Sequence, residues 1–292
     1  MSRTTAAGTA TVRLLCRAFG ISRQAYYGAQ RAKTTPPKVV TLPTRPGSAS
    51  AEVVLAAIRA VIAREPAWGV RKVWATLRRD GLHVSRKRVW ALMHAQGLVL
   101  AAEREPGGPP PRGHVVVPEP NRRWATDLTT VWTRREGWVA VALMIDCGCR
   151  TLLGLDVTKD QSAPAILRSI DAVLLEQFGT VAAVPADLEL RSDHGPQYTG
   201  ADCEALVTRW GLMHTFAPVG RPTGNAVVER VIRTMKEEVV WLQDWEDAAQ
   251  LRTALVAWQR RYNETRPHQA LAWQTPAEYR AAKLGAPTAA AA

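Results

Sequence analysis

The stretch Arg123-Trp124-Ala125-Thr126-Asp127-Leu128-Thr129 alternates in the manner of a β-strand and carries one carboxylate at its middle. Downstream, Trp138-Val139-Ala140-Val141-Ala142-Leu143-Met144-Ile145 is an unbroken apolar run of strand length, too short to cross a bilayer, and reads as a buried strand. A second acid, Asp193, follows the short apolar segment Leu188-Glu189-Leu190-Arg191-Ser192 and precedes His194-Gly195-Pro196-Gln197-Tyr198, where the chain must turn. A third, Glu229, separated from Asp193 by 35 intervening residues, lies in Asn225-Ala226-Val227-Val228-Glu229-Arg230-Val231-Ile232-Arg233-Thr234-Met235-Lys236, whose apolar residues recur at helical spacing. Two strand-borne Asp and one helix-borne Glu are able to meet at one point.

The elements from residue 122 onward read as strand (123–132), strand (138–146), strand (151–157), helix (163–178), strand (188–192), helix (201–210, capped by Thr199), short strand (212–215) and helix (226–242). Three antiparallel-type strands followed by αβαβα is the order of the ribonuclease H-like fold, an α/β class with a mixed five-stranded sheet flanked by helices. In that order the first strand is central and the fourth lies beside it, which brings Asp127 to Asp193. Asp146 and Asp156 also end strands and are expected to face solvent or hold turns. A last helix near 246–262 and the segment Tyr262–His268 are expected to pack on this core, with Arg266 and His268 as DNA contacts.

The formal charge of the 292-residue chain is +12. Its distribution is more informative. Residues 1–116 hold 19 Lys/Arg against 5 Asp/Glu, or +14, and residues 117–292 hold 19 against 21, or −2. A basic region attached to a near-neutral, carboxylate-bearing core suits a protein that grips phosphates with one segment and acts on them with another. The basic region contains a pair of legible all-α helix-turn-helix units. One, in residues 1–35, turns at Phe19-Gly20-Ile21 and restarts at Ser22 before Arg23-Gln24-Ala25-Tyr26-Tyr27. The other, in residues 51–104, has helices near 51–64 and 69–79, a turn at Gly81, and a helix 86–96 capped by Ser85 and closed by Gly97. Arg86, Lys87 and Arg88 occupy the first turn of that last helix, where they oppose its macrodipole and where a recognition helix meets DNA. Arg71, Lys72 and Arg23 join them as expected DNA contacts, whereas Val73, Trp74, Leu77, Val89, Trp90 and Leu92 read as core.

Glu105-Pro106-Gly107-Gly108-Pro109-Pro110-Pro111-Arg112-Gly113 sustains neither helix nor central strand and marks the domain boundary. The expected division is 1–35, 51–104, a catalytic core at 117–245, a helical extension at 246–284 and a disordered tail at 285–292. Cys16, Cys147, Cys149 and Cys203 form no CxxC pair, and His/Cys spacing of a zinc module is missing, so they read as reduced thiols of a bacterial-type cytoplasm. No apolar run reaches the 18 residues of a membrane span, and the N-terminus lacks a secretory apolar region.

The segments Trp124-Ala125-Thr126-Asp127, Ser192-Asp193-His194-Gly195-Pro196-Gln197-Tyr198, Gly224-Asn225-Ala226-Val227-Val228-Glu229-Arg230 and Tyr262-Asn263-Glu264-Thr265-Arg266-Pro267-His268, with Thr275-Pro276, resemble the catalytic core of OrfB-type transposases of the insertion sequence 3 family, related to retroviral integrases. The resemblance runs from about residue 10 to about 280 and departs at Gly224, where many relatives carry Asp. It implies that Asp127, Asp193 and Glu229 are catalytic and hold two Mg²⁺ ions, with Mn²⁺ expected to substitute. Phosphodiester exchange needs the attacking and leaving oxygens both stabilised, which two ions roughly 3.5–4 Å apart accomplish, and hard Mg²⁺ prefers carboxylates to thiols or imidazoles. Lys236, seven residues after Glu229, projects from the same helix face, and the family uses a basic residue there on DNA ends. His194, Gln197 and Asn225 are expected to position.

The expectation is thus a transposase that binds the terminal inverted repeats of its element and target DNA, cleaves at 3′ ends and transfers strands. It is expected to act as a homo-oligomer on DNA near the nucleoid, away from membranes, alone or fused to a product of the upstream frame. A ribonuclease H-like nuclease that only hydrolyses, and a catalytically silent DNA-binding regulator, remain as alternatives.

Overall fold

The alternation around Asp127 builds an 11-residue strand, β1 (Arg123–Thr133), which turns at Gly137 into β2 (Gly137–Asp146) and then β3 (Leu152–Thr158). In the computed structural model, which describes residues 49–100, 117–218 and 225–285, these three strands are antiparallel neighbours. β4 (Glu189–Ser192) and β5 (Met213–Phe216) add to the other side in parallel, for the order β3-β2-β1-β4-β5. That is the mixed five-stranded sheet of the ribonuclease H-like class, with β1 central and β4 beside it, as the element order requires.

Strand alternation then decides the layers. Ala125 and Val131 of β1, with Val139, Val141, Leu143 and Ile145 of β2, pack against α7 (Ala226–Glu238) and α8 (Ala248–Glu264) through Val228, Val231, Met235, Leu251, Leu255 and Trp258. Trp124, Ala142 and Met144 face the opposite way, onto α4 (Ala163–Phe178) and α6 (Ala201–Trp210), and Trp124 stacks on Phe178 at 5.2 Å. A four-residue helix, α5 (Pro196–Thr199), precedes α6, so Thr199 ends a helix and Gly200 is the N-cap of α6. The expected Thr199 cap is corrected by the proline at the start of α5, which sets up a helical turn earlier.

The helical region 49–100 consists of α1 (Ala51–Arg64), α2 (Val70–Arg79) and α3 (Arg86–Ala95), closed around Val54, Ile58, Trp68, Val73, Leu77, Val89 and Met93. Ser50 and Ser85 cap α1 and α3 with their hydroxyls, and Gly81 and Gly97 take the positive φ (84° and 66°) that ends the preceding helices. Trp90, read as core, is half exposed and stacks on His94 at 5.0 Å, because positions 86, 90 and 94 form the outer stripe of α3. The described residues belong to one compact unit, and α2 is clasped to the C-terminal side of the core. Lys72 pairs with Glu238 at 2.8 Å, and Arg79 meets Glu278 of α9 (Pro276–Leu284) with both guanidinium nitrogens at 2.6 and 2.8 Å. Trp74 packs edge-on against Trp273 at 5.6 Å.

The helix-turn-helix reading at 1–35, with Arg23 and Cys16, the Pro/Gly-rich boundary at 105–113, Gly224 and the tail beyond 285 lie outside the described residues. The other three cysteines are buried and unpaired. Among the described residues, no helix is long and apolar enough to cross a membrane.

Candidate functional site

The parallel register between β1 and β4 ends at Ala125↔Arg191. Asp127 and Asp193 each lie two residues beyond that pair, so they leave adjacent strands, about 4.8 Å apart, at the same level. Asp127 is half-buried and its Oδ1 accepts from the Leu128 amide at 2.8 Å; Asp193 is exposed and its Oδ1 accepts from the Gly195 amide at 2.9 Å. Behind Asp127, the buried Tyr198 hydroxyl meets Thr126 Oγ1 at 3.4 Å. Asn225, buried at the N-cap of α7, donates from Nδ2 to the Thr126 carbonyl at 3.4 Å, while its Oδ1 has no partner among the described residues. That bond ties the start of the helix bearing Glu229 to the strand bearing Asp127.

The electrostatics record the convergence. Burial pushes the Asp127 carboxyl up, the Leu128 amide opposes it, and the neighbouring Asp193 and Glu229 push it further, to about 6, with Lys236 pulling the other way. The Glu229 carboxyl is also raised, by burial. Asp193, Glu229 and Lys236 therefore all lie within electrostatic reach of Asp127. Among the described residues no three acids are spaced to cage a single ion. An open set of carboxylates matches cations whose remaining ligands are water and substrate phosphate. In residue type the three suit a hard divalent cation: all are carboxylates, and positive charge would relieve the push of Asp193 and Glu229 on Asp127.

Of the positioning candidates, His194 stacks on Phe216 at 4.9 Å, and Gln197 donates to the Gln161 carbonyl at 3.3 Å. Asp146, with no solvent exposure, holds the β2–β3 turn by accepting from the Gly148 and Cys149 amides, and it pairs with Arg280. Asp156 is partly exposed and accepts from Ser169. Arg266 and His268, expected on DNA, are instead inside: Arg266 is paired with the buried Glu238 at 3.0 Å, and burial first, then the cations around it, push the His268 imidazole well down. Their placement is corrected because Glu238, at the end of α7, has to be neutralised.

On α3, Arg86 and Lys87 are exposed, while Arg88 turns back to donate to the Ala49 carbonyl at 2.8 Å. Arg71 reaches Gln269 at 3.3 Å. Trp138, read as the start of a buried strand, is exposed by 60% because it sits at the hairpin end of β2, and sequence reasoning gave no role to Trp132 and Trp241, exposed by 55% and 64% beside Lys236. A chain with 11 Trp, two of them flanking a strand turn, held the only signal.

Comparison with known proteins places an integrase core domain at residues 117–222 and again at 211–276, and an HTH-like domain at 49–106. The transposase InsD for insertion element IS2A/D/F/H/I/K of Escherichia coli is 28% identical over 235 residues, 77% of each chain; InsD for IS2-9 of strain K12 matches at the same identity over 77% of this chain and 76% of its own. A simian T-cell lymphotropic virus intasome chain, solved with the PP2A regulatory subunit B56 gamma, aligns with TM-score 0.46 at 16% identity over 76% of this chain and 74% of its own. The HTLV-2 integrase catalytic core in complex with magnesium aligns with TM-score 0.39 at 14% identity over 56% of this chain and 97% of its own. An integrase core on this sheet makes the chain a DDE polynucleotidyl transferase. It is similar to transposases built on that core, in keeping with the resemblance to the insertion sequence 3 family.

Proposed function

We propose that the chain binds the terminal inverted repeats of an insertion sequence, cleaves one phosphodiester at each 3′ end and directs the freed 3′-hydroxyl at a second phosphodiester. The observation that carries this reading is the parallel register that sets Asp127 and Asp193 at one level on adjacent strands, with the helix bearing Glu229 tied to β1 through Asn225. Asp127, Asp193 and Glu229 would hold Mg²⁺, or Mn²⁺ in its place. Such a pair of ions, when bound, stabilises the attacking and leaving oxygens of an in-line displacement.

The chain's own groups do the rest. Asn225 fixes α7, and with it Glu229, against β1. Lys236, which has no hydrogen-bond or ion-pair partner among the described residues, offers its ammonium to a terminal phosphate close to the carboxylates. His194 and Gln197 brace the turn after Asp193. Arg86 and Lys87 face outward from the start of α3 and supply phosphate or base contacts. Both ends and the target have to be assembled at once, so the active form is a homo-oligomer on DNA, with or without an upstream-frame partner. A nuclease that only hydrolyses would have less use for an unpaired lysine held beside the carboxylates.

The test is joining of labelled terminal-repeat duplexes to a second duplex in Mg²⁺ or Mn²⁺. Strand-transfer products are expected with the element's own ends; hydrolysis alone overturns the transferase reading. The binding arm is tested by Arg86→Ala with Lys87→Ala, which should flatten the dependence of log affinity on log salt by about 0.9 for each phosphate no longer neutralised. An unchanged slope would mean that α3 faces away from DNA.

A further inference from the structure

β1 runs eight residues past its last pair with β4, since that pairing stops at Ala125 while the pairing with β2 continues to Thr133. The half of β1 beyond Asp127 therefore borders a groove instead of a strand. Thr130, Val131 and Trp132 line one side of this cavity of about 480 Å³, with Trp138 next to them across the hairpin; Lys236 of α7 and Trp241 of the following 3₁₀ turn line the other. Trp132 and Trp138 meet edge-on at 5.5 Å, so neither covers the other's face, and both are more than half exposed, as is Trp241. The hairpin tip is anchored by main-chain bonds from the Arg134 and Arg135 amides to the Trp245 and Glu246 carbonyls, which hold the two sides together.

Three indoles left in water around one groove are unfavourable without a partner, and their surroundings select it. Lys236 lines the groove and lies two turns along α7 from Glu229 on the same helix face, so the groove and the carboxylates share a wall. Flat aromatic faces beside a cation suit a nucleobase with its phosphate; stacking on an aromatic side chain is tolerant of base identity and needs an unpaired base. We propose that the Trp132–Trp138–Trp241 groove is a stacking subsite for unpaired nucleotides of the DNA strand whose phosphate is held at Lys236 and the carboxylates. A base held there is out of its duplex, so the groove would keep the terminal pairs open and separate the strand being cut from its complement. The proposal rests on the reading of the carboxylates as the reacting site.

Its test needs no catalysis. The full chain is titrated, in EDTA, with three fluorescent probes: a short blunt duplex, the same duplex with a single-stranded overhang of a few nucleotides, and that overhang made abasic. Wild type is expected to prefer the ordinary overhang to the abasic one by about tenfold, a modest value for stacking of one or two bases. Trp132→Ala and Trp241→Ala, both at exposed positions, should remove this preference and leave blunt-duplex binding within about twofold. Equal affinity of wild type for ordinary and abasic overhangs overturns the proposal whatever the variants do. So does a variant that keeps full overhang preference, or one that loses self-association in sedimentation while its DNA preferences are unchanged, which would make the groove a contact between copies. Because these readings are taken without divalent cations, a groove that binds bases beside carboxylates that prove dispensable for joining would leave the subsite standing and remove the catalytic reading, and the converse result would do the reverse.

Discussion

The two ends of helix α7 treat a carboxylate in opposite ways. At its C-terminal end Glu238 is 7% exposed and fully answered: Lys72 of α2 and Arg266 pair with it at 2.8 and 3.0 Å, and the Trp258 indole donates to it at 3.1 Å. Burial alone would push this carboxyl up, but Arg266 and Lys72 hold it below the ordinary range. Glu229, in the first turn, has no ion pair among the described residues; burial and the charges of Asp193 and Glu229 drive Asp127 up to about 6, with Lys236, further along the helix, pulling the other way. A buried acid that serves the fold is neutralised by the chain; an acid cluster that serves chemistry is left short of positive charge.

The sharpest way to break this contrast is to remove charge from the unanswered end. Asp127→Asn, Asp193→Asn or Glu229→Gln should each lower cleavage and joining by about a thousandfold or more while leaving DNA binding close to wild type. Joining within about tenfold of wild type in any one of them would remove that residue from the reacting site.

The answered end should respond in stability instead. Glu238→Ala leaves Lys72 and Arg266 facing each other with little solvent, and is expected to cost on the order of 3–5 kcal/mol in urea unfolding. Because Glu238 also joins the helical region to the core, a loss under about 1 kcal/mol would mean that the cluster relaxes into water.

Lys236→Ala tests the cation whose charge acts on Asp127. It should impair processing of the element's own ends several-fold more than Mn²⁺-supported nicking of arbitrary duplex, since the group that positions the end is removed and the carboxylates are kept. Equal losses would assign Lys236 to general phosphate binding.

The smallest effect is on the cation-free fold. Asp127 titrates at about 6 in the folded chain against an ordinary 3.8, so its protonated form favours folding, and that contribution is present below about pH 4 and lost as the pH rises through about 6. Asp127→Asn removes the loss. Its melting temperature should exceed that of wild type by roughly 3 °C near pH 8 without cations and match it near pH 4, while added Mg²⁺ or Mn²⁺ should raise the wild type alone. A variant melting below wild type near pH 8 would show that Asp127 is not under repulsion.

Much of this contrast was legible in residue order. Strand alternation and helical periodicity placed Asp127 on the central strand, Asp193 just past its neighbour and Glu229 on a helix, and the predicted helices 51–64, 163–178 and 201–210 have the observed bounds. Where local signals were weak the reading slipped. The helix starting at Ala226 stops at Glu238 and tightens into a 3₁₀ turn over Val240–Leu242, because Val239 leaves the helical conformation (φ −137°, ψ −61°) and the Trp245 indole bonds to the Val240 carbonyl. The four-residue α5 was not anticipated, and α9 was read only as part of the helical extension at 246–284, although Thr275-Pro276 with Glu278 makes a capping box that announces its start.

By itself, the sequence determined the kind of chain this is: periodicity specifies strands and helices, their order admits one sheet topology, and acids at the ends of adjacent elements are carried to one place by it. What the tertiary structure alone decided is which charges are spent and which are free. Lys72, Arg88 and Arg266 belong to basic stretches that look alike along the chain, yet each is turned inward to an acid or a carbonyl, while Arg86, Lys87 and Lys236 have no ion pair among the described residues. The same holds for tryptophan: Trp124 and Trp258 are core, and Trp132, Trp138 and Trp241 line an open groove. Burial and pairing depend on what the rest of the chain brings alongside, and an ion pair such as that of Lys72 with Glu238, 166 residues apart, leaves no local trace for a sequence to carry.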